Sequence, residues 1–214
     1  MLLLIALVLT GEGRSGELGG SSALRHLSLD ELDSILPPGT VVLTRQASIE
    51  EFLIELDGEP PDWSAVYGHG HHDPGHDDRL FALNRERDAK REGKPALLKQ
   101  VAFIWTGALS RYDPVIGGFP VALGPNFIKT RWGMIRFKPE ETPGNLSVAT
   151  DTSQQIHLER LLEQGQPVEI DVVMTGRLIP EESIVYDFSH DEEGLGLIMP
   201  FVRVEQVDCV MFRP

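Results

Sequence analysis

The sequence predicts an α+β protein in which short helices precede a mainly antiparallel β-barrel or sheet. Three observations predict it. Apolar residues recur at helical spacing between Leu29 and Leu56. From Val101 onward the pattern changes to the alternation of strands, broken once by a helical stretch after Thr152. Apolar residues make up 41% of the 214 positions and charged ones 24%, which is ordinary for a chain that buries a core. The composition divides the chain into a leader-like segment 1–22, a helical region 23–97 with a histidine-rich loop, and a β-rich domain 98–214.

Leu2 to Leu9 is an unbroken run of eight apolar residues, too short for a membrane-spanning helix, which needs about 20. With the Gly/Ser-rich stretch from Gly11 to Ser22 it suits a secretory signal, although no Lys or Arg precedes it. The expected location is therefore periplasmic or secreted, with the cytoplasm as the alternative.

Ser28 with Glu31 spells a capping box, and Leu29, Leu32, Ile35 and Leu36 form a helical face that Pro37-Pro38-Gly39 ends. Thr40 to Thr44 is a short β-branched strand. Ser48 with Glu51 suggests a second capping box, opening a helix whose apolar face is Ile49, Phe52, Leu53 and Leu56. Trp63 to Tyr67 reads as strand-like. A third helix is expected from Asp78 to Glu92, its charged run taken as a solvated face with Glu86 and Lys90 at the i,i+4 spacing.

Strands follow at Val101–Leu109, Phe119–Leu123 and Trp132–Phe137. Thr152 with Gln155 marks a helix with Ile156, Leu158, Leu161 and Leu162 inward. Val168 to Leu178 alternates cleanly, and Ile184, Tyr186 and Phe188 carry the next strand. The last run changes phase between Val204 and Val207, which a β-bulge near Glu205-Gln206 explains. The order β-β-β-α-β-β resembles the oligonucleotide/oligosaccharide-binding (OB) barrel, which carries its helix between strands 3 and 4. That likeness is one of order alone, with no residue motif. The expected core includes Val101, Phe103, Trp105, Ile135, Phe137, Ile170, Val172, Tyr186, Phe188 and Cys209.

Charge excludes one class of partner. The net charge of -14 is divided between the halves, with 9 basic against 17 acidic residues up to Leu98. Nucleic-acid affinity rests on neutralising phosphates, so no such partner is expected, and the implied partner is a protein or a small molecule. The single cysteine, Cys209, excludes an intrachain disulfide and sits in an apolar run as a core residue.

Four of the seven histidines, His69, His71, His72 and His76, fall within eight positions beside Asp73. Imidazole is the commonest ligand for zinc, nickel and copper, and a carboxylate can complete the sphere. These five residues are the candidate metal site, with His157 and His190 as further ligands. His69-Gly-His71-His72-Asp73 superficially resembles the His-x-His-x-Asp-His signature of the metallo-β-lactamase superfamily. It departs from that signature at Pro74, and the strand–helix alternation of that fold is absent. The main functional expectation is a non-enzymatic binding or accessory domain. The alternatives are a metal-binding protein that uses this loop and a metal-dependent hydrolase.

Overall fold

The computed structural model describes residues 20–69, 73–179, 184–188 and 196–213. The Leu2–Leu9 run, His71, His72 and His190 lie outside them. In chain order the elements are β1 (Ser21–Ala23), β2 (Arg25–Leu27), a 3-10 segment (Leu29–Ser34), β3 (Val41–Val42), α1 (Gln46–Asp57), α2 (Trp63–Tyr67) and α3 (His76–Arg91). A second 3-10 segment (Pro95–Leu98) leads to β4 (Gln100–Leu109), β5 (Phe119–Gly124), β6 (Ile128–Thr130), β7 (Gly133–Ile135), β8 (Lys138–Pro139) and β9 (Ser147–Ala149). Then come α4 (Thr152–Glu163), β10 (Glu169–Leu178), β11 (Ile184–Phe188) and β12 (Gly196–Phe212).

Among the described residues twelve strands join in one sheet, whose main path runs β1-β9-β5-β4-β10-β12-β7-β6. The protein is α+β, as the periodicity predicts, but the sheet is open rather than closed into a barrel, and it is mixed, its long pairings antiparallel and its short added pairings parallel. Three of the parallel pairs form where β1, β2 and β3 run alongside β9, β12 and β4, and two more where β12 runs beside β7 and β8. Its centre is the antiparallel ribbon β4-β10-β12. There Val172 stands opposite Trp105 on one side and Cys209 on the other.

The bulge in β12 lies where the phase change predicts it. Thr175 pairs with Gln206 and Gly176 with Val204, so Glu205 is the inserted residue. A Cβ at Gly176 would collide with the Arg203 carbonyl, which explains the glycine opposite the bulge.

Strand alternation gives the ribbon two different faces. Phe103, Trp105, Ile170, Val172, Met174 and Cys209 point into the main core, where they share one cluster with Leu43, Ile49, Phe52 and Trp63 from the N-terminal half. The second face carries a smaller cluster of Leu32, Ala102, Val173 and Val210, covered by the first 3-10 segment. Leu161 and Val207 pack against the main cluster from partly buried positions.

Four local expectations are corrected. Ile156 of α4 is exposed rather than inward. α1 begins at Gln46 with Arg45 as N-cap, and the Ser48 hydroxyl donates to the Arg45 carbonyl (2.9 Å) instead of capping. The cap of α4 is Asp151, whose carboxylate accepts from Gln154 N (2.9 Å). Trp63–Tyr67 is a helix, capped by Asp62. Only the Ser28–Glu31 box forms as its spacing predicts. No helix among the described residues is long and apolar enough to cross a membrane.

Candidate functional site

The histidine loop joins α2 to α3, and its organising residue is Asp73. One Asp73 oxygen accepts from Gly75 N (2.9 Å), the other from Arg79 Nη2 (2.9 Å) and His69 N (3.2 Å). These donors, the Gly75 amide first and Arg79 next, hold the carboxyl far below the usual carboxylate range. Arg79 also donates from Nε to the Val66 carbonyl (2.9 Å) and from Nη2 to that of Tyr67 (3.2 Å), closing the C-terminus of α2. Asp73 is thus a clamp between two helices, and the cation it holds is a guanidinium.

Of the other predicted ligands, His69 is exposed, and His76 is half-buried with its ring 4.9 Å from that of Phe188. His76 Nδ1 lies 2.7 Å from the Asp73 carbonyl, a contact that needs its N–H, while Nε2 is 3.3 Å from Asp77. His157 is exposed on α4. Among the described residues no three His, Cys, Asp or Glu side chains gather as a metal-binding group.

A second cluster went unread in the sequence: most of the charged run of α3 is solvated as expected, but two of its arginines turn inward. Arg87 and Arg91 are 4% and 1% exposed. Arg91 forks onto Asp57, with Nε to Oδ1 at 2.6 Å and Nη2 to Oδ2 at 2.9 Å, and its Nη1 reaches the Ile184 carbonyl (2.9 Å). The Tyr186 hydroxyl donates to the same carboxylate, and Arg87 Nη1 donates to the carbonyls of Asp57 (3.2 Å) and Glu59 (2.7 Å). Both guanidinium carbons lie over the Tyr186 ring, at 5.7 and 5.2 Å. Burial works against the Arg91 charge, yet the hydrogen bonds and the charge of Asp57 raise it above its ordinary value. Burial and then Asp57 push the Tyr186 phenol far up. The cluster is enclosed at the junction of α1, α3 and β11, so it serves packing and does not face a ligand.

The signal was present as a stripe. Leu80, Asn84, Arg87 and Arg91 follow the 4-3-4 spacing of one helix face. Asn84 completes the junction: its amide donates to the Tyr186 carbonyl (2.8 Å) and its carbonyl accepts from Tyr186 N (2.8 Å). It pairs with β11 as a neighbouring strand would, covering that edge.

An open cavity lies on the second face of the ribbon. It is about 420 Å³ in volume and has Ile104 of β4, Asp171 of β10 and Phe212 of β12 among its lining, with Leu29 and Phe127 beside them. It shares Leu29, Thr44 and Arg45 with a neighbouring cavity of about 370 Å³, so the two form one groove. Leu29 and Phe127, 55% and 42% exposed, stand among its lining. Thr106 donates to the Asn126 side-chain oxygen (2.8 Å), fixing the wall beside Phe127. Burial, with Glu169 second, raises the Asp171 carboxyl. No partner for the Asp171 carboxylate exists among the described residues.

The remaining candidates contribute less. Trp105 and Trp132 are core residues, Trp105 Nε1 donating to the Phe137 carbonyl (3.1 Å). Tyr112 lines a smaller cavity of about 310 Å³ with Arg111, Glu159 and Glu163. Cys209 is fully buried, and burial and Asp208 push its thiol up to about 11, so it is not a nucleophile. Compared with known protein families, with curated proteins and with solved structures, the chain matches none.

Proposed function

We propose that this chain is a non-enzymatic binding domain of an exported or peripheral protein, with the groove on the second sheet face as its ligand site. The observation that carries the reading is the groove itself. An open depression with apolar walls at Ile104, Phe127 and Phe212 and a few polar groups, built on a rigid sheet, is the usual form of a small-ligand site. The OB-like order belongs to the same proposal: α4 falls between the early strands and the β10–β12 pair, and OB domains bind across a sheet face. The hydrophobic Leu2–Leu9 run supports the exported location.

Amide-resolved NMR titration with a mixture of small apolar fragments tests the site. Shifts concentrated at Ile104, Asp171 and Phe212, and lost in Ile104→Arg, are expected. Shifts absent from these strands would refute the groove as the binding face.

A second reading keeps the histidine loop as a zinc, nickel or copper site. It is favoured by His76, whose Nδ1–H on a backbone carbonyl is the orientation that metal-bound imidazoles commonly adopt. The hold of Arg79 on Asp73 weighs against that carboxylate as a ligand.

A further inference from the structure

Building on the groove reading, we infer that its ligand is a small apolar molecule carrying one protonated amine, with the amine set against Asp171. The second face of the ribbon holds Glu169, Asp171 and Asp208; Glu169 is exposed, and the fold treats the other two differently. Asp208, on β12, has Arg25 Nη2 at 3.6 Å and lies hydrogen-bonded to Gln206. Asp171, on β10, stands in register between Thr106 and Val210 and lines the groove, and no described residue forms an ion pair with it. An unpaired carboxylate among Ile104, Phe127 and Phe212 is costly to the folded protein, and an amine arriving with an apolar body offsets that cost.

Arg45 shares the groove and is the charge that could oppose a cation. It is exposed, so solvent screens it, whereas the half-buried Asp171 is screened less and dominates the floor. The net charge of -14 favours approach of a cation over an anion. A cavity of about 420 Å³ suits a ring or short chain beside the amine. Positions along one ligand then divide plainly: the apolar body lies over Ile104 and Phe212, and the ammonium donates to the Asp171 carboxylate.

Titration calorimetry with 4-phenylbutylamine, 4-phenylbutanol and 4-phenylbutyrate on wild type, Asp171→Asn and Ile104→Arg tests this, with melting curves to show that each variant is folded. The amine should bind one-to-one and at least tenfold tighter than the alcohol, with the carboxylate weakest. Asp171→Asn should remove the preference for the amine and leave alcohol binding within about twofold, and Ile104→Arg should weaken all three. Equal binding of amine and alcohol, or an unchanged preference in Asp171→Asn, overturns the cation inference while leaving the groove reading intact. No binding of any probe to wild type overturns both. An acetylated Leu-Lys-Leu peptide binding tighter than the amine would overturn the small-molecule assignment in favour of a protein partner.

Discussion

The Asp57 carboxylate and the Arg91 guanidinium meet through two parallel hydrogen bonds, 2.6 and 2.9 Å long, with both side chains sealed from solvent. The pair joins the last turn of α1 to the last turn of α3, and Tyr186 adds β11. A buried pair of this kind is weak evidence of net stabilisation, but breaking it on one side leaves an uncompensated charge. Asp57→Ala should therefore cost about 3–5 kcal/mol. Tyr186→Phe, which removes only the hydroxyl, should cost about 1.5–3 kcal/mol, the range for hydrogen bonds to a charged group. Urea unfolding of both variants measures this, and a cost below about 1 kcal/mol for Asp57→Ala would mean that the pair does not form.

Asp73 gives a prediction about pH. Its folded carboxyl titrates well below the ordinary range because Gly75, Arg79 and His69 all donate to the charged form. A depressed folded pKa adds stability that is present above the unfolded value, about pH 4, and is lost as pH falls through the folded one. The melting temperature of Asp73→Asn should lie below wild type at neutral pH, and the gap should close as the solution is acidified. A gap independent of pH would show that the carboxylate charge is not what the clamp uses.

Asp171 should behave with the opposite sign. Its folded carboxyl is raised by burial, so the ionised side chain penalises the native state at pH above the folded value, and acid relieves the penalty. Without ligand, Asp171→Asn should melt at or above the wild-type temperature at pH 7, and the difference should vanish below about pH 4. A clear loss of stability at neutral pH would mean that the carboxylate has a partner in solution.

Strand alternation was legible because the sheet satisfies it locally: Ile170, Val172 and Met174 face the core whatever the neighbouring strands do. The bulge was legible for the same reason, since one inserted residue flips the phase that Val202 and Val204 establish. The parallel partners β1, β2 and β3 were not, because two- and three-residue strands carry no period to read. The Asp57–Arg91 junction was hidden by residue type: two arginines in a charged run look solvated until an acid 34 positions away is placed against them. The groove has no sequence signal of its own, since Leu29, Ile104, Asp171 and Phe212 meet only when the sheet is assembled. Among the proposed metal ligands, sequence density identified the loop but could not show that Arg79 already holds Asp73.

The boundary at 97/98 can be tested directly. A chain starting at Gly93 lacks Leu43, Ile49, Phe52, Leu53 and Trp63 from the shared core, and β2 and β3 from the sheet. Each missing core side chain removes burial worth about 1.5–3 kcal/mol, so the five together forfeit about as much as the typical 5–15 kcal/mol stability of a whole domain. The fragment should show no cooperative thermal transition. A sharp two-state melt would establish 98–214 as an independent domain.

The histidine loop separates ligands from clamp. If the loop binds a transition metal, the imidazoles carry the site, because Asp73 spends both oxygens on Gly75, His69 and Arg79. Calorimetric titration with nickel, zinc and copper should give one-to-one binding that is lost when His69, His71, His72 and His76 are all replaced by Ala. Asp73→Asn should lower the melting temperature, through the loss of the clamp, yet leave the metal affinity within a few-fold of wild type. Affinity should weaken in acid, because each imidazole must give up its proton to bind. Bound metal should raise the melting temperature in step with its occupancy. Weak, non-stoichiometric heat with no thermal shift would leave the loop as a connector anchored by the Asp73–Arg79 clamp, and an affinity that falls with Asp73→Asn as steeply as with the histidine variant would place the carboxylate in the site after all.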